Sequence, residues 1–474
     1  MLFNSFDFGL FLVVVYLVYW AIGTQRRKAQ NVLILLASYL FYGLWDWRFL
    51  GLLLLSSLID YVAGIAISKS TKRSTQRRYL WLSILWNLGV LFTFKYFNFF
   101  VDSFQDLFGM ESGQGYTFWN VAIPLGLSFY TFQTMSYSID VFQKKIKPTR
   151  SLLNFLCFVS FFPQLVAGPI EKASQLLPQF ERNRSFDLGN AKSGLRQILW
   201  GLFKKIIVAE KLGVAVTMAF DNPEAYNSIT LVFAAVLFCY QVYCDFSGYT
   251  DIAIGTAKLF GFKLSRNFNL PYLAKNVSDF WKRWHITLTK WFTDYVYLPL
   301  ARSGKRSNFR KSIALFLTFV LVGFWHGANW TFILFGVVNA LFLLAERAPI
   351  FRNKKNLQQQ LASLPSFFSL GYVFMVFTIS AVLFRSHDMN QALFFLKRIG
   401  SFAMDGALTT LIGYKLGYLA FVLVAELATR NLSFPLENLE LKLGKPIRWL
   451  VYYALIIIII QYAEPKEAFI YFQF

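Results

Sequence analysis

Long apolar runs separated by short polar and basic segments dominate the chain. Runs near 8–22, 32–46, 48–67, 79–101 and 121–142 are followed by 196–219 and 229–258. Two more lie within 313–346, and the last are 366–386, 408–428 and 447–463. About 20 apolar residues are needed to cross the hydrocarbon core of a bilayer, and most of these runs reach or approach that length. The pattern predicts an all-α polytopic membrane protein of about 10–12 transmembrane helices. Re-entrant and interfacial helices are expected in addition, with residues 1–474 forming a single integral-membrane domain.

Two stretches depart from simple crossings. Leu152–Phe162 is followed by Pro163, by Gly168-Pro169 and then by the polar Glu171, Lys172, Glu181, Arg182 and Arg184. A half-helix that enters the membrane and returns fits that order. Backbone of this kind survives only against protein or water, so a cavity opening to the cytoplasm is expected there. The stretch 259–311 is the most polar part of the interior chain. Within it Phe280, Trp281, Trp284, Leu288, Trp291, Phe292 and Tyr295 recur at helical spacing, opposite Lys282, Arg283, Thr287, Lys290 and Asp294. With Ser278 as N-cap, this predicts one amphipathic helix at the cytoplasmic surface, its tryptophans at headgroup depth.

Composition removes the soluble alternatives. Hydrophobic residues make up 56% of the chain, aromatics 19% and charged residues only 15%, with a mean hydropathy of +0.46. A soluble protein of this length cannot hide so much apolar surface, and disorder, coiled coils and collagen are excluded as well. The net charge of +22 invites a nucleic-acid reading, but its placement argues against one. Segments 26–28, 69–78, 144–150, 302–311 and 347–355 hold 21 Lys or Arg and no Asp or Glu. Each flanks apolar runs, where such residues keep a loop on the cytoplasmic side. Even numbers of expected crossings separate the five segments, so all fall on one face, and no nucleic-acid partner is expected. The cysteines Cys157, Cys239 and Cys244 sit in apolar surroundings without a CxxC pair and read as buried, small hydrophobes. Met1–Phe8 carries Asp7 and no basic residue, and Arg26, Arg27 and Lys28 follow the first run. That order predicts a retained first helix with its N-terminus outside.

The 3 histidines narrow the search for chemistry. His387, within Arg385-Ser386-His387-Asp388, belongs at the polar end of a span, as a surface residue. His285 falls on the apolar side of the expected amphipathic helix. His326 lies near the midpoint of the apolar stretch Ile313–Ala345. As one helix that stretch would be about 50 Å long, far thicker than the hydrocarbon core. Two arms broken at Gly323 and Gly327 would return the chain to the side it came from, with His326 buried near the turn. An ionisable group inside a membrane is a functional hypothesis by default. A neutral imidazole there can accept a proton from a hydroxyl.

At these residues the sequence resembles a known family. The resemblance rests on Phe162-Pro163-Gln164-Leu165-Val166-Ala167-Gly168-Pro169-Ile170 and on Cys244-Asp245-Phe246-Ser247-Gly248-Tyr249-Thr250-Asp251. It continues through Phe280-Trp281-Lys282-Arg283-Trp284-His285-Ile286-Thr287-Leu288, Asp294-Tyr295-Val296-Tyr297-Leu298-Pro299-Leu300 and Trp325-His326-Gly327-Ala328-Asn329-Trp330. It recurs in the terminal Phe469–Phe474. These motifs are similar to those of the membrane-bound O-acyltransferases, most of all the bacterial branch that O-acetylates alginate and related polysaccharides. The resemblance implies a helical fold around a central tunnel, an acyl donor entering from one face and an acceptor from the other. It places the active-site histidine at His326 and a second polar site residue at His285. One departure is Ala301-Arg302, where the polysaccharide branch often has Gly-Gly after Pro-Leu.

The residues and the resemblance point to the same chemistry. Acyl transfer from a thioester needs a base for the incoming hydroxyl, a water-excluded path and stabilisation of an oxyanion. His326 is the expected base, and His285, Asn329 and Trp330 are candidates for orienting it or the donor. Lys282 and Arg283, with Arg302, Lys305 and Arg306 nearby, are placed to bind the phosphates of a coenzyme A donor. Asp294, which opens one shared motif, completes the substrate-binding set. The histidines lack the spacing of a metal site, and no permanently bound cofactor is expected. Acetyl-CoA or another acyl thioester is the expected donor substrate. The sequence holds no soluble domain long enough to be a second acyltransferase. Expected partners are therefore a periplasmic acyltransferase or other polysaccharide-modification proteins, besides membrane lipids. The expected location is the plasma (inner) membrane. An enzyme of the same fold acting on teichoic acid, peptidoglycan or lipid is the alternative. A transporter without covalent chemistry comes third, because the span interiors hold few acidic residues.

Overall fold

The computed structural model describes residues 1, 3–109, 123–304, 307–348, 358, 361, 366–405 and 415–462. Every regular element among the described residues is helical. Seven of these helices are long and apolar enough to cross a membrane: Arg48–Lys69, Arg73–Leu107, Ser228–Leu259, Asn308–His326, Trp330–Arg347, Phe367–Arg385 and Lys445–Tyr462. Phe6–Ala21 and Leu416–Ala428 are shorter apolar helices. Each apolar run of the sequence is occupied by a helix. The starts of the runs at 121 and 408, residues Lys305 and Arg306, most of the basic segment 347–355 and the terminal motif Phe469–Phe474 lie outside the described residues. Outer faces are oily: Lys445–Tyr462 buries Leu455 but exposes Ile456, Ile457 and Ile460. Such faces belong against hydrocarbon, and the chain is a multi-pass membrane protein.

The helices group into two compact units, Met1–Leu195 with Ala253–Ser265, and Arg196–Ile252 with Arg266–Phe474. In the first unit the segment 151–185 breaks into Leu152–Ser160, Phe162–Leu165 and Ala173–Glu181, as its Pro and Gly pattern predicts. Nine residues rise only about 14 Å, half of a crossing. Side chains satisfy the loose backbone at the breaks. Gln133 Nε2 and Gln164 Nε2 donate to the Phe158 carbonyl at 2.7 and 2.8 Å. Ser38 Oγ accepts from Phe162 N at 3.1 Å, and Asn31 Nδ2 donates to the Phe180 carbonyl at 2.9 Å. Broken backbone persists in an apolar bundle only with such partners.

The second unit holds the histidine hairpin. Its arms are Asn308–His326 and Trp330–Arg347, joined by Gly327, Ala328 and Asn329. The hinge is therefore these three residues, and Gly323 stays inside the first arm, contrary to the expectation that it helps the chain turn. Its role is contact. A Cβ on Gly323 would collide with the Phe332 carbonyl oxygen, and one on Gly336 with the Phe319 carbonyl oxygen. Two missing side chains let the antiparallel backbones touch.

The expected single amphipathic helix over 280–295 is broken. Val277–Arg283 and Ile286–Phe292 are separate helices, and between them His285 adopts a left-handed φ of 41°. Asn276, not Ser278, is the N-cap, its Oδ1 accepting from Asp279 N at 2.7 Å. The buried Glu346 carboxylate adds two bonds, accepting from Val277 N at 2.7 Å and Ser278 N at 3.0 Å. Trp281, Trp284 and Trp291 are buried against protein, so the apolar stripe is used for packing and not for headgroup contact.

Candidate active site

His326 is the last residue of the first arm and is 4% exposed. Its ring lies edge-on to Phe335 and Phe384 at centroid distances of 5.7 and 5.1 Å, and 5.0 Å from Trp325. Beside it is a cavity of about 50 Å³. The walls come from Phe238 and Val242 of the helix Ser228–Leu259, from Trp281 and Trp284, and from Phe377 and Phe384 of the helix Ser366–Arg385. Aromatic walls of this kind limit the access of water to a group bound there.

His285 is fully buried and also packs on the Trp325 indole, which stands 5.9 Å from its ring and 5.0 Å from that of His326. Phe246 packs against it at 4.7 Å. His285 Nδ1 is 3.2 Å from Asn267 Oδ1, which also accepts from Thr287 N at 3.2 Å and Thr287 Oγ1 at 3.0 Å. A backbone N–H can only donate, so the amide orientation of Asn267 is fixed. His285 must then carry its proton on Nδ1, leaving Nε2 as an acceptor. Burial pushes its pKa down to about 3. The left-handed turn is held by Ile286 N donating to the Asn267 carbonyl and Asn269 N to the Arg283 carbonyl, both at 2.9 Å.

A hydrogen-bonded chain that sequence reasoning missed reaches the same cavity. Trp281 Nε1 donates to Asn339 Oδ1 at 3.2 Å, and Asn339 Nδ2 donates to Ser380 Oγ at 3.1 Å and to the Phe335 carbonyl at 2.9 Å. All three side chains are buried, and both Trp281 and Ser380 line the cavity. The signal was present in Asn339, a lone amide in the apolar run Trp330–Ala345.

The remaining candidates fall elsewhere. Asn329 caps the second arm, accepting from Thr331 N at 3.0 Å, while its Nδ2 donates to the His387 carbonyl at 2.7 Å. Trp330 is 56% exposed at the start of that arm, and His387 is exposed as expected. Lys282 is exposed, and Arg283 pairs with Asp279 at 3.0 Å. Asp294 is half-buried in the wide turn Thr293–Tyr297. None of these lines the cavity.

The motif Cys244–Asp251 supplies a second buried polar cluster. Lys205 Nζ meets Asp245 at 2.5 Å, and Lys204 Nζ meets Asp251 at 2.7 Å, Ser247 Oγ at 2.9 Å and Glu426 at 3.7 Å. Tyr243 OH donates to Glu426 at 2.8 Å, and its ring packs 5.7 Å from that of Tyr272, on the cavity wall. The cluster thus braces the wall from behind. The three cysteines are buried, as the sequence predicts.

The motifs that build this site have counterparts in known proteins. Residues 39–386 match the model of the membrane-bound O-acyltransferase family. The chain is 34% identical over 400 residues to a probable alginate O-acetylase AlgI of Pseudomonas syringae pv. tomato, covering 83% of this chain and 74% of that protein. It is 37% identical over 348 residues to a probable alginate O-acetylase AlgI of Pseudomonas aeruginosa, covering 73% of this chain and 65% of the relative. A peptidoglycan O-acetyltransferase of Helicobacter pylori is 32% identical over 429 residues, covering 84% and 79% respectively. A multi-pass helical chain with this match over most of its length is an acyltransferase and belongs to the membrane-bound O-acyltransferase family.

Proposed function

We propose that this enzyme moves an acetyl group from a cytoplasmic thioester, acetyl-CoA, towards hydroxyls of an exported cell-envelope polysaccharide such as alginate. His326 is the general base in this reading, and no cofactor is permanently bound. The observation that carries it is a buried imidazole on the wall of an aromatic cavity of about 50 Å³. By that measure the cavity exceeds the roughly 10–15 Å³ that a single water requires, so a small group can enter beside the imidazole. Two relatives named as O-acetylases of alginate and an O-acetyltransferase of peptidoglycan support a carbohydrate polymer as acceptor.

In the reaction the acceptor hydroxyl gives its proton to the His326 imidazole as its oxygen bonds to the thioester carbonyl carbon. The tetrahedral intermediate then expels the thiolate, which takes the proton from the imidazolium. Protons balance without another acid or base. Because the polymer lies outside the membrane, a periplasmic acyltransferase or other modification protein is the expected partner for final transfer. In this reading Lys282 and Arg283 bind the donor phosphates away from the cavity, with Arg283 also paired with Asp279.

The test is the O-acetyl content of the envelope polymer, normalised to membrane-inserted protein. His326→Ala and His326→Gln should each lower it by about 10²-fold or more while the protein still inserts. Near-normal acetylation in His326→Gln would return His326 to a packing role.

A further inference from the structure

We propose that the Ser380 hydroxyl is a further catalytic residue, the hydrogen-bond donor that stabilises the oxyanion formed when the hydroxyl attacks the thioester. The inference rests on the acyl-transfer reading above.

The argument begins with what a buried serine on a helix ordinarily does. Its hydroxyl donates back to the carbonyl four residues earlier, as Ser38 does to Ile34, Ser57 to Leu53 and Ser386 to Val382, all at 2.7 Å. Thr318 does the same to Ala314 at 2.6 Å. Ser380, 2% exposed in the helix Ser366–Arg385, does not bond back to Val376. Among the described residues its one hydrogen bond is the one it accepts from Asn339 Nδ2 at 3.1 Å. Accepting that bond turns the oxygen towards Asn339 and leaves the hydroxyl proton to be donated. Ser380 lines the cavity that His326 also lines.

Three other donors on the same wall are already committed. The Tyr272 hydroxyl donates to the Cys239 carbonyl at 2.6 Å, the Cys239 thiol reaches the Phe377 carbonyl at 3.5 Å, and the Trp281 indole N–H is on Asn339. The chain Trp281 to Asn339 to Ser380 runs in one direction, so each bond polarises the next and the last O–H is the strongest donor. A donor held in place before reaction, in a dry cavity, is what oxyanion stabilisation requires. In the balanced step, the carbonyl electron pair moves onto oxygen as the new C–O bond forms. Ser380 lends a hydrogen bond to that oxygen without losing its proton. Collapse of the intermediate returns the pair as the C–S bond breaks.

The test is steady-state kinetics of purified enzyme with acetyl-CoA and polymer acceptor, together with thermal stability in detergent. Ser380→Ala should lower kcat by about 10²–10³-fold with KM for acetyl-CoA changed by less than about 3-fold. Its melting midpoint should stay close to the parent's, which separates chemistry from packing. Asn339→Leu should also lower kcat, and the double variant should be no slower than Ser380→Ala alone, because the amide acts only through the hydroxyl. A kcat within a few-fold of the parent in Ser380→Ala overturns the proposal, as does a loss confined to KM. If that happens while His326→Gln is inactive, the acyl-transfer reading stands and only the role of Ser380 falls. If the parent enzyme acetylates no hydroxyl at all, both fall together.

Discussion

His285 is held neutral by its surroundings. With its pKa pushed down to about 3 by burial, the folded protein leaves the ring unprotonated where the unfolded chain, with a pKa near 6.5, takes up a proton. Stability from this residue is therefore fully present above about pH 6.5. It falls as pH drops from there towards about 3, by up to about 1.4 kcal/mol per pH unit. His285→Gln keeps an N–H for Asn267 but removes the titration. The fall in melting midpoint of detergent-purified protein between pH 7 and 4.5 should become shallower in this variant. An unchanged slope would move the acid sensitivity to another group. At the same scale, the histidines were legible in the sequence because they are rare and one stands alone in an apolar run. Asn267 and Ser380 were not, and Asn339 was marked only by being a lone amide in an apolar run. Amides and hydroxyls are common along such chains, and only tertiary contact shows which of them border a histidine or the cavity.

Helices are easier to read from sequence than the breaks between them. Apolar length marks a span because the bilayer demands it, and every run contains a helix. The break at Trp284-His285 was invisible because the apolar spacing continues through it, while its cause, the pairing with Asn267–Asn269, lies 18 residues away for His285. The cap from Glu346 likewise reaches Val277 across 69 residues. The helix Ser228–Leu259 poses the opposite problem, since its motif acids were legible and their partners were not. Lys204 and Lys205 sit in the wide turn Phe203–Ala209 and face Asp251 and Asp245. Lys204→Met leaves Asp251 and Glu426 without their shared cation in a buried setting, a change that costs about 3–5 kcal/mol. The fraction of protein remaining folded after heating in detergent should drop sharply, and acetylation should fall with it through the loss of folded enzyme. A variant as heat-resistant as the parent would show that the buried carboxylates do not depend on this cation.

For the molecule as a whole, the histidine hairpin and the basic segments make a joint statement about direction. An arm of 19 residues rises about 28 Å, close to the thickness of the hydrocarbon core. The segment 302–311 at one end of the hairpin carries five Lys or Arg and no acid, which favours the cytoplasm. The turn Gly327–Asn329, with His326 immediately before it, then belongs at the opposite leaflet, on the side of an exported polymer. On this arrangement the hydroxyl that takes the acyl group reaches His326 from that side, and the thioester of the proposed reaction must extend inward from the cytoplasm. Cysteine labelling can decide this, because Cys157, Cys239 and Cys244 are buried and give little background. Trp330, 56% exposed beside the turn, and Ser303, exposed in the basic segment, are suitable positions. Trp330→Cys should react with a membrane-impermeant maleimide in intact cells, and Ser303→Cys only after permeabilisation. The reverse pattern would invert the hairpin, place His326 on the cytoplasmic side, and require the acceptor rather than the donor to cross the membrane.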